Sequence, residues 1–169
     1  EGKAPAEQRA AVVLVGVADV DDAVAAAKAA FWDWWMTPVP TRSAILFRYR
    51  HLVWEARQEV AEIIVKENGK TLAEASGEML RALQYIEHAS AVTETMKGAV
   101  TENVGTGVDI EYIREPLGPF GIIAPFNFPA MIPLYFTWAV ATGNPVVIKP
   151  SEHCPLTTAR LVELATEAG

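Results

Sequence analysis

Gly121-Ile-Ile-Ala-Pro-Phe-Asn-Phe-Pro129 and, farther along, Val146-Val-Ile-Lys-Pro-Ser-Glu152 decide how this chain folds. Each run is apolar, stops abruptly at a proline, and then presents polar side chains: Asn127 in the first, Lys149, Ser151 and Glu152 in the second. Short, continuously apolar runs bounded in this way read as strands buried in a parallel sheet. The carboxyl ends of such strands are where open parallel sheets bind ligands. An uncharged amide beside a lysine and a carboxylate suits a site that holds a nucleotide and polarises a carbonyl.

Outward from these runs the pattern is strand and helix in alternation. Phe120 to Ala124 is the first buried strand, and Pro129 begins a helix that reaches Thr142, bends near Pro133 and closes at Gly143-Asn144. Pro145 to Ile148 is the second strand and Pro155 to Ala168 the helix after it. Val108-Asp-Ile-Glu-Tyr-Ile-Arg114 alternates and predicts a strand with one solvated face. Gly105-Thr-Gly107 before it lacks the third glycine of a dinucleotide fingerprint and reads as a loop.

The amino-terminal half is helical. Val12 to Val17 is a β-branched run expected to form an edge strand, and Asp19 is placed to cap a helix through about Trp35 that Pro38 and Pro40 stop. From Thr41 to Glu67, Ile45, Leu46, Tyr49, Leu52, Val53, Ala56, Val60, Ile63 and Ile64 recur at spacings of three and four, with Asn68-Gly69 as the exit turn. A third helix, Leu72 to about Met96, carries Met79, Leu80, Leu83, Ile86 and Val92 on one side and ends at Lys97-Gly98. Two parallel strands leave an exposed edge where a third would be expected, so 169 residues are better read as half of a nucleotide-binding domain plus its helical cover than as one complete domain.

Composition narrows the function. A hydrophobic content of 51% with 21% charged residues is that of a soluble globular chain. A net charge of −7 disfavours a nucleic-acid surface, because such surfaces need clustered Lys and Arg to neutralise phosphate. Arg42, Arg48, Arg50 and Arg57 are interleaved with Glu55, Glu59 and Glu62, which predicts a mixed-sign helix face. No apolar stretch approaches the ~20 residues of a membrane span, and no signal peptide is visible. With a single cysteine, Cys154, the expected location is the cytoplasm.

Pro125-Phe-Asn-Phe-Pro129 and Val146 to Glu152 together resemble the amino-terminal part of an aldehyde dehydrogenase, over Asp19 to Gly169. Phe126 where many relatives have Trp, with Thr37-Pro-Val-Pro40 and Glu67-Asn-Gly-Lys-Thr71, is similar to the methylmalonate-semialdehyde dehydrogenase branch. The resemblance implies an α/β fold: a partial Rossmann-like parallel sheet with an amino-terminal helical layer and a projecting β oligomerisation element. On that reading residues 1–169 are the amino-terminal portion of the NAD-binding domain. Residues 12–107 form the strand and helical layer, 108–114 the projecting strand and 118–169 the first half of the nucleotide-binding sheet, the catalytic domain being absent.

The same resemblance implies NAD-dependent oxidation of an aldehyde or semialdehyde through a cysteine thioester, coenzyme A being the acyl acceptor in this branch. It also implies a homo-oligomer, dimer or tetramer. Asn127 matches the residue whose side-chain N–H donates to the substrate carbonyl oxygen. Lys149 and Glu152 match an adenosine-ribose clamp whose carboxylate disfavours the extra phosphate of NADP. Ser151 accompanies them, while Ile123, Ala124, Pro125 and Phe126 would form the wall and rim against which the cofactor lies.

Each residue also has a plainer reading. From spacing alone, Asn127 closes a turn and Lys149 is a solvated strand end. Cys154 is the tempting nucleophile, but the family's nucleophile belongs to a motif beyond Gly169, and a structural role is expected. These residues alone are therefore expected not to turn over aldehyde. A truncated, non-catalytic NAD-binding or assembly protein is the alternative. His51 and His88 lack a second ligand at metal spacing, so no zinc site is proposed. Phe31, Trp32, Trp34 and Trp35 are expected to pack against the second helix or a neighbouring subunit.

Overall fold

A computed structural model of the protein describes residues 16–169. Three long helices come first: α1 (Val17–Met36), α2 (Val39–Asn68) and α3 (Leu72–Ser90), followed by a single turn, α4 (Val92–Thr95). A hairpin of β1 (Ala99–Gly105) and β2 (Val108–Tyr112) precedes β3 (Phe120–Ile123). A 3-10 turn, Pro129–Met131, leads into α5 (Ile132–Ala141), and β4 (Val146–Lys149) and α6 (Pro155–Ala168) complete the order.

The expected edge strand over Val12 to Val17 falls mostly outside the described residues, and Val17 itself opens α1. Gly16 is the N-cap of that helix, and Asp19 sits three positions on, its carboxylate accepting the Gly16 N–H at 2.7 Å. Pro38 and Pro40 do more than end α1. Pro38 caps α2 and Pro40 lies in its first turn, where a missing N–H costs nothing. Gly69 takes the left-handed conformation (φ 84°) that ends α2, its N–H returning to Val65 O at 3.1 Å. Thr71 and Glu74 then form a reciprocal capping box for α3. The predicted third helix breaks at Ala91, whose N–H returns to His88 O; beside it the Ser90 hydroxyl bonds Ile86 O and the Ser90 carbonyl accepts the Ser43 hydroxyl.

The core lies where α2, α3, α5 and α6 meet. Val53, Val60, Ile64, Met79, Ile86, Ile132 and Leu161 are buried there, and Tyr49 stacks obliquely on Phe136 with ring centres 5.7 Å apart. Arg42 overturns one expectation. It is 2% exposed and not part of a mixed-sign surface, its guanidinium donating to Ala141 O, Trp34 O, Trp35 O and Thr37 O. It therefore satisfies carbonyls at the ends of α1 and α5 at once. Trp34 of the α1 aromatic cluster joins the same meeting point: it donates to Val140 O at the end of α5 at 2.9 Å and borders a cavity with Ile45, Leu46 and Tyr49 of α2.

β3 and β4 pair in parallel, with α5 as the crossover, and this is the partial Rossmann-like sheet expected from sequence. The strands are not buried as predicted. Ile123 is 83% exposed and Val146 to Ile148 are half-buried, because a parallel pair needs cover on both faces and the described residues supply helices to one. β2 pairs antiparallel with β1, a strand that the alternation had not disclosed, and the whole hairpin is exposed, apolar side included: Val108, Ile110 and Tyr112. Gly98 enters it under the Tyr112 carbonyl, where a Cβ would lie 2.1 Å from the oxygen. No helix among the described residues is long and apolar enough to cross a membrane.

Candidate functional site

Register brings the two sequence runs together. Phe120 pairs with Val146 and Ile123 with Lys149, and the ladder ends with the Ala124 N–H donating to Lys149 O at 3.0 Å. Both strands thus finish side by side, and the loop bearing Asn127 leaves the sheet beside the loop bearing Ser151 and Glu152. The edge of Phe126 meets His153 with ring centres 5.5 Å apart, linking the two loops.

In the second loop Lys149 Nζ and Glu152 Oε2 lie 2.8 Å apart, with about half of each side chain open to solvent. The Lys149 hydrogen bond, then a backbone N–H, then the lysine's charge hold the Glu152 carboxyl below its ordinary range. Ser151 is buried, and its Oγ accepts the His153 N–H at 3.2 Å, which tightens the turn. Ile123, Pro125 and Phe126 are exposed along the strand end, and Ala124 is buried beneath them.

The turn between α2 and α3, Glu67-Asn-Gly-Lys-Thr71, fixes both loops from below. Glu67 accepts the N–H groups of Leu156 and Thr157 at 2.9 and 2.8 Å, and the Thr157 hydroxyl as well, capping α6 from another helix. Asn68 donates to Phe126 O at 2.8 Å and to Cys154 Sγ at 3.4 Å. Lys70 donates to Asn127 O at 2.7 Å, pairs with Glu78 and lies over the Phe128 ring at 4.4 Å. Glu78, whose side chain is 4% exposed, accepts the Ala130 N–H at 2.7 Å.

With its backbone held at both ends, the Asn127 side chain makes no hydrogen bond among the described residues, which leaves its amide available to a ligand. It lines a cleft of about 800 Å³ together with Lys70, Arg81, Tyr85, Phe128 and Met131. Cys154 lies elsewhere. It is 2% exposed and covered by Asn68 and the Phe126 carbonyl, and burial pushes its thiol up, away from the thiolate a nucleophile needs.

Residues 3–169 match the model of the aldehyde dehydrogenase family. The chain belongs to that family.

Among curated aldehyde dehydrogenases, the malonate-semialdehyde dehydrogenase of Bacillus cereus (strain B4264) is 48% identical over 152 residues, 89% of this chain and 31% of the relative. Among solved structures, the methylmalonate-semialdehyde dehydrogenase of Oceanimonas doudoroffii superposes with a TM-score of 0.88 at 38% identity, covering 92% of this chain and 32% of that one. One from Sinorhizobium meliloti 1021, described as a methylmalonate-semialdehyde dehydrogenase complexed with NAD, gives 0.87 at 39% identity, covering 93% and 32%. The chain thus spans about a third of the length of these aldehyde dehydrogenases. In sequence, Glu67-Asn-Gly-Lys-Thr71 shows a helix exit at Asn68-Gly69 and a family resemblance, but none of these bonds. The interest of Glu67, Lys70 and Glu78 emerges from contacts between residues far apart in the chain, and that of Arg81 from its place in the cleft.

Proposed function

We propose that this chain supplies part of the NAD site and the carbonyl-polarising amide of an NAD-dependent semialdehyde dehydrogenase. The observation that carries the proposal is the Ile123 to Lys149 register, which sets the Asn127 loop and the Lys149–Glu152 pair at one end of the sheet. The residues fit the cofactor. A lysine and a carboxylate 2.8 Å apart, both solvent-accessible, can exchange their mutual bond for bonds to the two hydroxyls of a ribose. The carboxylate would repel a 2′-phosphate, favouring NAD over NADP. Ile123, Pro125 and Phe126 offer an apolar rim, Ala124 keeps the backbone beneath them close, and Ser151 shapes the clamp loop. Bound NAD supplies a hydride acceptor.

At the other loop Asn127 donates its side-chain N–H to the aldehyde oxygen, stabilising negative charge as a nucleophile attacks the carbonyl carbon. Arg81 lines the same cleft, with Glu74 and the Lys70–Glu78 pair, and its guanidinium would take a substrate carboxylate, which suits a semialdehyde. The nucleophile would be a cysteine outside these residues: its addition to the aldehyde gives a thiohemiacetal, loss of hydride, which NAD would accept, leaves a thioester, and coenzyme A would then take the acyl group and release the cysteine thiolate. These 169 residues alone therefore give no aldehyde-dependent NADH. The fully exposed β1–β2 hairpin, with Val108, Ile110 and Tyr112 uncovered, supports its use as the contact of a homo-oligomer.

The test is Asn127→Ala in the full-length enzyme. Removing one such donor lowers kcat by about 10²- to 10³-fold with NAD affinity unchanged, whereas Lys149→Ala weakens NAD. A kcat within about twofold of wild type for Asn127→Ala would remove Asn127 from the chemistry.

A further inference from the structure

We infer that Lys70 and Glu78 are positioning residues for carbonyl polarisation, acting through the backbone of the Asn127 loop; this rests on the role of Asn127 proposed above. Three side chains from the α2–α3 turn and α3 hold that loop. Asn68 takes the Phe126 carbonyl, Lys70 the Asn127 carbonyl at 2.7 Å, and Glu78 the Ala130 N–H at 2.7 Å. Lys70 and Glu78 are also bonded to each other, so the anchor on the Asn127 carbonyl and the anchor three residues on, at Ala130, are joined through one ion pair, while Asn68 holds the preceding carbonyl.

Two arguments separate this role from ordinary stabilisation. A buried ion pair is a poor source of stability, because desolvating both charges offsets most of their attraction. Here Glu78 is almost wholly buried and Lys70 mostly so, which calls for another use. The second argument concerns the Asn127 side chain, which has no protein hydrogen bond among the described residues to orient it. Its placement therefore depends on its backbone, and the carbonyl that Lys70 holds belongs to Asn127 itself. An oxyanion donor stabilises charge only when it already points at the place where charge develops, so loss of this bridge is felt at the barrier more than in binding.

The experiment is a double-mutant cycle in the full-length enzyme between Lys70→Met and Asn127→Ala, reading kcat, aldehyde KM and NAD dissociation constant. Lys70→Met alone is expected to lower kcat at least about tenfold while NAD affinity stays within about twofold. In the Asn127→Ala background the same change is expected to have almost no further effect on kcat, because the group it positions is gone. Lys70→Arg, which keeps a donor, should recover part of the loss. Equal kcat losses in both backgrounds, or a kcat within about twofold for the single variant, overturn the inference. If Lys70→Met leaves Glu78 too poorly paired to fold, Lys70→Met with Glu78→Gln removes both charges and gives the same readings. The underlying reading fails separately, through an unchanged kcat in Asn127→Ala alone.

Discussion

Glu67 Oε1 accepts the main-chain N–H of Thr157 at 2.8 Å across ninety positions of sequence. The last turn of α2 thereby caps the first turn of α6, whose own N-cap, Cys154, makes no side-chain cap bond. Glu67→Ala removes the acceptor for two amides and a hydroxyl at once. The expected cost is about 2 to 4 kcal/mol, from charge-assisted bonds at a helix N-terminus. Glu67→Gln, which keeps one oxygen, should lose less. Urea unfolding of the two variants checks the order.

Arg81 stands in the cleft with Asn127, its Nη1 bonded among the described residues to Gln84 on its own helix. Arg81→Met is expected to raise KM for a carboxylate-bearing aldehyde by about ten- to a hundredfold, the worth of a charge-assisted bond. KM for an uncharged aldehyde of similar length should change little. Steady-state kinetics on malonate semialdehyde and propanal compare the two directly, and equal effects on both would take Arg81 out of substrate recognition.

Cys154 is expected to be chemically quiet. Burial raises its pKa and its sulfur is covered, so a thiol reagent at neutral pH should label it only after denaturant is added. Cys154→Ala should leave kcat near that of wild type while lowering stability by about 1 kcal/mol, for the packing lost. Ready labelling of the native protein would contradict the placement of this side chain.

The Glu152 carboxyl has a depressed pKa in the folded protein, its bond to Lys149 being the largest cause. The sign follows: what this carboxylate contributes is present above the unfolded carboxyl pKa and is lost as pH falls through the lower folded value. NAD affinity should therefore show no titration from this group across neutral pH and fall only below about pH 4.5. Glu152→Gln should remove that acid limb and narrow the preference for NAD over NADP. Titrations of NADH and NADPH fluorescence against pH measure both effects.

Strand ends were easy to read from sequence because prolines punctuate them. Pro125 and Pro150 mark where β3 and β4 stop, and α6 was found at its observed bounds because Pro155 begins it. The position of Asn127 and of the Lys149–Glu152 pair at those strand ends was legible for the same reason. Burial of the sheet was misjudged: apolar content shows that a strand seeks cover but not which face receives it, and Ile123 is bare. β1 was hidden because Ala99 to Gly105 mixes Thr, Glu and Asn without a clean alternation. Arg42 looked like one charge in a mixed helix face, since nothing local reveals that Trp34 O and Ala141 O will converge on it. Glu78 was invisible for a related reason: its partner at Ala130 lies 52 residues away.

Within the short stretch Glu67 to Thr71, Asn68 and Lys70 bond the loop that carries Asn127 and Glu67 bonds the helix that follows Glu152. Neither can shift alone. Whatever separation these loops set between a bound dinucleotide and a bound carbonyl is therefore inherited from one short connection, and an insertion there would alter grip and chemistry together.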